Sequence, residues 1–426
     1  MTTKESKTNG AETALREFLE IASRPPAPGA GVPDSASPLL KNLWFSWNRL
    51  QVGFEWILKR RCKKLRPEML LLLEWAMTEM YALSGLPPYA CVSEAVEYAK
   101  RICGREKAGF VNAVLRGLLR DAPDAEALKG LLKDAPENVQ CQLPRELHLR
   151  WEREFGRERT RELAEILQLP ATATARRRGS LASLPYPLRF EDALALVETS
   201  TGEFPTGKYY LQDASTLLAP ALLDPRPGET IADLCAAPGG KSLAIAERLQ
   251  GQGRLICCDS AEPRMQRLKD NLQEVNVASV QLMDATRPTL EEASVDAILL
   301  DVPCSNTGVI RRRPDVRRNY SEANLRRLLD VQRKILEASA RLIRPNGRIV
   351  YSTCSIENDE NSLQRGTAAL SHPGARRRIR GRPFQGIGGA GGVARRSGIR
   401  TPCLIFHPPD ATDKGVGESR RPPFSK

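Results

Sequence analysis

Two cysteines stand where two apolar runs end: Cys304 in Asp301-Val302-Pro303-Cys304-Ser305, and Cys354 in Ser352-Thr353-Cys354-Ser355. The runs before them, Val295–Leu300 and Gly347–Ser352, are rich in β-forming residues and read as buried strands. In an open parallel α/β sheet the carboxyl ends of the strands are where ligands bind and chemistry happens. An ionised thiol is a nucleophile, so two of them at one sheet edge suit covalent catalysis on a base. Either cysteine alone reads as a buried structural thiol. The pair at two strand ends does not. Asp301 closes its apolar strand with a charge that must be used or paired, and Pro303 stiffens the turn that follows.

Upstream, Asp233-Leu234-Cys235-Ala236-Ala237-Pro238-Gly239-Gly240-Lys241 joins a strand-like run to a helix-like one. Small residues let a cofactor approach the backbone of Cys235, Ala236, Ala237, Pro238, Gly239, Gly240 and Lys241. The helix N-terminus there favours an anionic or carboxylate-bearing group. Asp259 ends the next strand, 19 residues after Gly240, where a carboxylate is placed to accept both hydroxyls of a ribose. Asp284, after the strand at 279–283, is placed to accept from an adenine amino group; an ordinary strand-end aspartate is the plain alternative. The loop has neither the Gly-x-Gly-x-x-Gly of a dinucleotide site nor the spacing of a P-loop. Between the two cysteines lie Arg311, Arg312, Arg313, Arg317 and Arg318. Such a run is usually a solvated face, but in a loop leaving this edge it is expected to hold a nucleic-acid backbone without reading its sequence.

These residues need elements to position them. Strands are expected at 229–235, 254–259, 279–283, 295–301 and 347–352, and helices after Ser215 and at 241–250, 262–275 and 321–342. Alternation of apolar strands with helices predicts a parallel sheet covered on both faces over 206–365. Residues 41–133 carry helical spacing and predict a small all-α domain. Pro67 starts one of its helices, Ser93 is a candidate N-cap for Glu94–Ile102, and Phe110, Val111, Val114, Leu115, Leu118 and Leu119 form one apolar face. Residues 1–40 read as a polar extension and 138–205 as a connector into the catalytic region. Residues 366–426, with Arg376-Arg377-Arg378 and Gly386–Gly392, read as a basic, disordered tail.

The net charge is +13, but nine of those charges belong to 366–426, which holds twelve Lys and Arg against three Asp and Glu. A basic total therefore says little about the folded body. No apolar run reaches membrane-spanning length, and the first ten residues lack the apolar stretch of a signal peptide. The ten cysteines show no Cys-x-x-Cys metal spacing. A cytoplasmic monomer with reduced thiols, no metal and no membrane partner is expected.

Three blocks in order are similar to the RNA cytosine-5 methyltransferases: Asp233 through Lys241, Asp301-Val302-Pro303-Cys304-Ser305 followed by Thr307–Arg312, and Ser352–Ile356. Val92–Glu97 and Asn112–Arg116 resemble the all-α NusB-like domain that precedes the catalytic part in the branch acting on 16S ribosomal RNA. Gln212-Asp213-Ala214-Ser215 resembles the family's entry into its catalytic domain. The resemblance covers roughly residues 60–363. It implies a Rossmann-like S-adenosylmethionine-dependent methyltransferase domain behind a NusB-like RNA-binding domain. It further implies S-adenosylmethionine held by 235–241, Asp259, Asp284 and Asp301, and an RNA substrate. Within it Cys354 is the nucleophile on C6 of cytosine, Asp301 holds the base, and Cys304 assists release of Cys354. The second thiol separates this family from DNA cytosine-5 enzymes, whose Pro-Cys cysteine attacks.

Two places depart from the family pattern. Ala175-Arg176-Arg177-Arg178 stands near its Arg-Val-Asn segment, and after Arg365 its C-terminal hairpin is replaced by Gly/Arg/Pro-rich sequence. A missing hairpin would leave a sheet edge open. The runner-up reading is therefore a non-catalytic RNA-binding or ribosome-assembly protein with a disabled catalytic domain. A nicotinamide-dependent oxidoreductase fits the sheet but leaves the two thiols without a role.

Overall fold

The computed structural model describes residues 2–24, 31–33, 35–83, 86–169, 171, 174–180, 197–199, 207–361 and 403–406. They fall into two compact units. The first is helical and comprises residues 1–171 together with 309–324. Its helices include α1 (Thr2–Ser23), α2 (Pro38–Arg61), α3 (Pro67–Ala82), α4 (Pro88–Ile102), α5 (Arg105–Asp121), α6 (Ala125–Gly130), α7 (Glu137–Gln140), α8 (Arg145–Phe155) and α9 (Arg157–Gln168). Proline at the first position of α2, α3 and α4 costs nothing, because the N–H it lacks would have no partner within the helix. Ser37 caps α2 by accepting from Leu40 N at 3.2 Å.

Three expectations change in this unit. The extension read over 1–40 contains α1, whose Ala14, Leu15, Phe18 and Ala22 are buried at helical spacing. Its polar start and the prolines after it concealed that stripe. Phe18 meets the rings of Trp44 and Trp47 edge-on at 6.2 and 5.1 Å. Ser93 does not cap a helix, since α4 already begins at Pro88. The connector from 138 opens with α8 and α9, which bury Leu147, His148 and Trp151, and Leu163, Ala164 and Leu167. Their many charges lie on the other face.

The second unit comprises residues 172–308 and 325–426. Strands β1 (Thr174–Arg177), β2 (Val197–Thr199) and β3 (Tyr209–Leu211) form a small antiparallel sheet in the order β2-β1-β3. The main sheet contains β4 (Thr230–Asp233), β5 (Arg254–Asp259), β6 (Ala278–Leu282), β7 (Val295–Asp301), β8 (Ile343–Ser352) and β9 (Cys403–Phe406), in the order β6-β5-β4-β7-β8-β9. All pairs are parallel except β8–β9. Helices α10 (Leu218–Leu223), α11 (Gly240–Leu249), α12 (Glu262–Leu272) and α13 (Glu322–Ser339) accompany it, the last beginning in the first unit.

Alternation along the strands fills two cores. Ile231, Leu255, Cys257, Leu299 and Val350 pack with α10, α11 and α12. Their neighbours Ala232, Ile256, Cys258, Ile298, Leu300, Ile349 and Tyr351 pack with Ile335 and Leu336 of α13. A sheet buried on both faces needs apolar residues at successive positions, which is why these strands looked continuous in sequence. The domain has the Rossmann-like architecture expected. Strand order reverses at β4, so the crevice beyond the carboxyl ends of β4, β5 and β7 is the place for a ligand.

β9 lies within the segment expected to be structureless; the rest of 366–426 falls outside the described residues. It pairs antiparallel with β8, Ser352 opposite Cys403 and Ile349 opposite Phe406. The edge expected to be open is thus occupied. Among the described residues no helix is long and apolar enough to cross a membrane. If α1 is part of the helical core, Phe18→Ala lowers the unfolding free energy by about 3 kcal/mol. Urea denaturation followed by tryptophan fluorescence measures this, and a loss below about 1 kcal/mol would detach α1 from that core.

Candidate active site

The register of β7 on β8 places Asp301 opposite Ser352. Cys304 lies three residues beyond the first strand and Cys354 two beyond the second. The two loops meet there, with the Sγ atoms 3.2 Å apart. Cys354 Sγ donates to Asn306 Oδ1 at 2.8 Å, and Asn306 Nδ2 donates back to the Cys304 carbonyl at 3.0 Å. Asn306 adopts φ 61°, a conformation asparagine tolerates better than most residues. Gly308 N donates to the Cys354 carbonyl at 2.9 Å, and a Cβ on Gly308 would lie 2.6 Å from that oxygen. Only glycine permits this approach.

The thiols differ in surroundings. Cys304 is 7 % exposed, and its pKa is pushed well up, first by its hydrogen bond with Cys354 and then by burial. It therefore keeps its proton at neutral pH. Cys354 is half-buried, on the open side of the pair. Asp301 has both oxygens engaged: Ser352 Oγ donates at 2.8 Å and Lys241 Nζ at 2.5 Å. Burial lowers the Lys241 pKa, but the Asp301 carboxylate outweighs it and holds the ammonium charged.

Behind them the loop from β4 to α11 frames a cleft of about 180 Å³. Of the expected cofactor residues, Cys235, Ala236, Ala237, Pro238, Gly240, Lys241 and Asp301 line it. Gly239 does not, but its φ of 107° makes the turn into α11. Asp259 is 2 % exposed and secures its own corner: it accepts from Ala237 N, Ala261 N and Arg264 NH2 at 3.2, 2.9 and 2.8 Å. Asp284 is exposed and accepts from Thr286 N at 2.8 Å. Neither lines the cleft.

Other lining residues carried weaker sequence signals: Tyr210, Gln212, Asp213, Thr216 and Asp233. A Cβ on Gly240 would lie 2.8 Å from the Tyr210 ring, so the glycine makes room for it. Gln212 bridges Gly240 O and Arg176 Nε at 3.3 and 3.1 Å, while buried Arg176 holds Glu247 of α11 at 2.7 Å. The segment that departed from the family pattern thus braces α11, at Gly240 and Glu247. Asp233 accepts from Ser242 Oγ at 2.7 Å, and its Oδ1 has no partner among the described residues. Burial pushes its pKa up to about 7, with Asp301 adding to the rise against the Ser242 bond.

Another missed residue lies behind the cysteines. Glu360, fully buried, accepts from Ser305 N at 2.8 Å, Ser305 Oγ at 2.5 Å and Gln332 Nε2 at 2.9 Å. Gln332 Nε2 also donates to Pro303 O at 2.9 Å, and Tyr351 OH donates to Gln332 Oε1 and Glu360 O. Ser305 Oγ lies 3.0 Å from Ser355 Oγ. One carboxylate thus fastens the Cys304 loop to the segment following Cys354. Its position six residues past Cys354 was its only sequence signal.

The arginine run is only partly presented outward: Arg312 and Arg313 are exposed, whereas Arg317 is buried. It belongs to the helical unit. Arg317 is 2 % exposed and donates to Leu167 O at 3.2 Å; burial, then Arg49, pushes its pKa down to about 9. Arg318 donates to Ala22 O and Arg24 O at 2.5 and 2.6 Å, beneath the rings of Trp44 and Trp47. Arg311 donates to Leu169 O at 3.3 Å and Arg313 pairs with buried Asp315 at 3.0 Å; Arg312 is exposed. Arg317 and Arg318 serve packing, because their guanidiniums satisfy helix-end carbonyls that would otherwise lack donors.

Comparisons with known proteins identify the family and support the fold. The family model for the 16S rRNA methyltransferase RsmB/F matches residues 220–382, and the NusB family model matches 7–120. A probable ribosomal RNA small subunit methyltransferase B of Bacillus subtilis is 30 % identical over 361 residues, 77 % of this chain and 78 % of that protein. The ribosomal RNA small subunit methyltransferase B of Vibrio cholerae is 35 % identical over 310 residues, 67 % of this chain and 70 % of its own. The crystal structure of PH0851 superposes with a TM-score of 0.65 at 21 % identity, covering 88 % of this chain and 91 % of that one; it supports the fold.

Glu360→Gln turns an acceptor of three hydrogen bonds into a group whose NH2 faces donors. The expected loss of unfolding free energy is about 3 kcal/mol. In a double-mutant cycle Ser305→Ala recovers at least about 1 kcal/mol of it; strictly additive losses would show that the two side chains are not coupled.

Proposed function

This chain belongs to the 16S rRNA methyltransferase RsmB/F family, and from that premise we propose that it methylates C5 of a cytosine in small-subunit ribosomal RNA through a covalent bond to Cys354. The observation that carries this reading is the 3.2 Å contact between a protonated, buried thiol and a more open one. Asp301 and Lys241 stand beside them as a charged pair.

S-adenosylmethionine would supply a methyl group on a positively charged sulfur. The cleft suits such a cation: Asp213, Asp233 and Asp301 line it against Lys241 alone, and the buried Asp233 Oδ1 awaits a donor. Asp259 and Asp284 would act at its margin, Asp259 chiefly by fixing the loop.

Cys354 adds as a thiolate to C6, and the electron pair released toward C5 lets that carbon take the methyl group. Asp301, held by Ser352 and Lys241, binds the base by accepting from its amino group, and the Lys241 ammonium beside it offsets the negative charge that thiolate addition develops on the ring. After methyl transfer the C5 proton passes to solvent water, its bonding pair re-forms the ring double bond, and the C6–S bond breaks to release the Cys354 sulfur. Cys304 retains its proton for the departing Cys354 sulfur. The base must leave its stack to reach the pair.

With small-subunit RNA and S-adenosylmethionine, Cys304→Ala is expected to accumulate a protein–RNA adduct stable on a denaturing gel. Adding Cys354→Ala removes it. No adduct, together with wild-type protein leaving no 5-methylcytosine in the RNA, would sink the reading.

The raised Asp233 pKa gives a further expectation. If the ionised carboxylate holds the cationic cofactor, affinity is full above pH 7 and falls as protonation proceeds below it, by up to about tenfold per pH unit. Calorimetric titration with S-adenosylmethionine itself, in the absence of RNA, from pH 5.5 to 8 measures this. Asp233→Asn should flatten the profile; an unchanged slope in that variant would assign the dependence to another group.

A further inference from the structure

The arginine run was the obvious place for an RNA backbone, yet much of its charge is absorbed inside the helical unit. A different segment presents charge outward. Between α2 and α3 runs Lys59-Arg60-Arg61-Cys62-Lys63-Lys64-Leu65-Arg66, with six cations and no carboxylate. Elsewhere in residues 1–171 there are 20 Lys and Arg against 23 Asp and Glu. This turn therefore accounts for all the positive excess of that stretch.

All six cations are exposed. Three have a structural explanation. Lys59, Arg60 and Arg61 form the last turn of α2, where positive charge offsets the negative end of the helix dipole. Lys59 pairs with Glu55 at 2.5 Å, Arg61 with Asp121 at 2.7 Å, and the Arg60 guanidinium lies 4.9 Å from the Trp56 ring centroid. That explanation does not extend to the other three. Lys63 and Lys64 lie beyond the helix end, and neither their side chains nor that of Arg66 has a hydrogen bond or ion pair among the described residues. Arg66 occupies the N-cap of α3 and makes no side-chain cap. A cation there faces the positive end of a helix, which is unfavourable unless an anion comes between them.

We infer that Lys63, Lys64 and Arg66 form a docking site for the phosphodiester backbone of the RNA substrate, an inference that rests on the function proposed above. Phosphates would join the unpaired cations and the N-terminus of α3, giving affinity without sequence preference. A membrane surface fits less well. None of the exposed large apolar side chains falls within 59–66, and a lipid-facing turn needs one to anchor it.

The test uses the full-length protein with Lys63→Gln, Lys64→Gln and Arg66→Gln combined, and a small-subunit ribosomal RNA transcript. Binding is measured over a range of KCl concentrations, and methyl transfer over a range of RNA concentrations. The slope of log Kd against log salt should fall by about 3, one for each phosphate no longer neutralised. KM for RNA should rise about tenfold, without a matching fall in kcat. The charge-keeping variant with Lys63→Arg, Lys64→Arg and Arg66→Lys should retain the wild-type slope.

An unchanged slope and KM in the glutamine variant would overturn the inference. So would wild-type binding to phosphatidylserine vesicles that is lost in that variant while its RNA slope stays intact. Failure of the function reading looks different: Cys304→Ala forms no adduct and the wild type leaves no 5-methylcytosine, whatever the salt slope shows.

Discussion

Parallel pairing of β7 with β8, Asp301 opposite Ser352, is the constraint on which the site depends. Side chains alternate across a strand, so a slip of one residue would exchange the two buried faces. Leu299 and Val350 would leave one core, and Ile298, Leu300, Ile349 and Tyr351 the other. Burial on both sides therefore fixes the register far more firmly than any contact at the strand ends. The cysteines inherit it, because each lies within three residues of its strand. Glu360 then needs only to hold two short loops, a task within reach of one buried carboxylate with three donors.

Charge in the site follows a similar rule. A buried carboxylate is costly unless donors or a cation compensate it. Asp301 is compensated on both oxygens, by the Ser352 hydroxyl and the Lys241 ammonium. Asp233, in the same cleft, is compensated on one oxygen only, and its pKa rises toward neutrality. The two carboxylates differ in the number of donors each meets. Asp259 is the opposite case: filled by its own loop, it keeps the turn after β4 in shape.

Much of this was legible in the sequence because the chemistry sits at strand ends and the strands are apolar throughout. The starts of β5 and β7 and the ends of β5, β7 and β8 fall where the residues predicted. What escaped was set by tertiary contact. Glu360 resembles any acidic loop residue until Ser305 and Gln332 converge on it. α1 hides its buried stripe behind a polar start, and β9 is four residues in a segment whose composition argues against structure. The strand forms there because β8 offers an edge whose backbone groups require partners. Local sequence does not encode that demand.

The arginines between the cysteines show why a charge run cannot be assigned from sequence. A guanidinium has five donors, and helix ends present carbonyls without partners, so arginine beside a helix terminus is readily absorbed into packing. Arg317 and Arg318 meet such carbonyls at Leu167, Ala22 and Arg24, and Arg318 adds two indole faces. The turn after α2 lacks those opportunities. Cys62 N already donates to a carbonyl of the last turn of α2, and the helix that follows turns its N–H end, not its carbonyl end, toward the lysines. Among the described residues no acceptor meets the side chains of Lys63, Lys64 and Arg66, which remain outside the fold's internal balance of charge. Binding affinity for a polyanion depends on cations still unpaired after the protein has folded, which makes these three the more consequential charges.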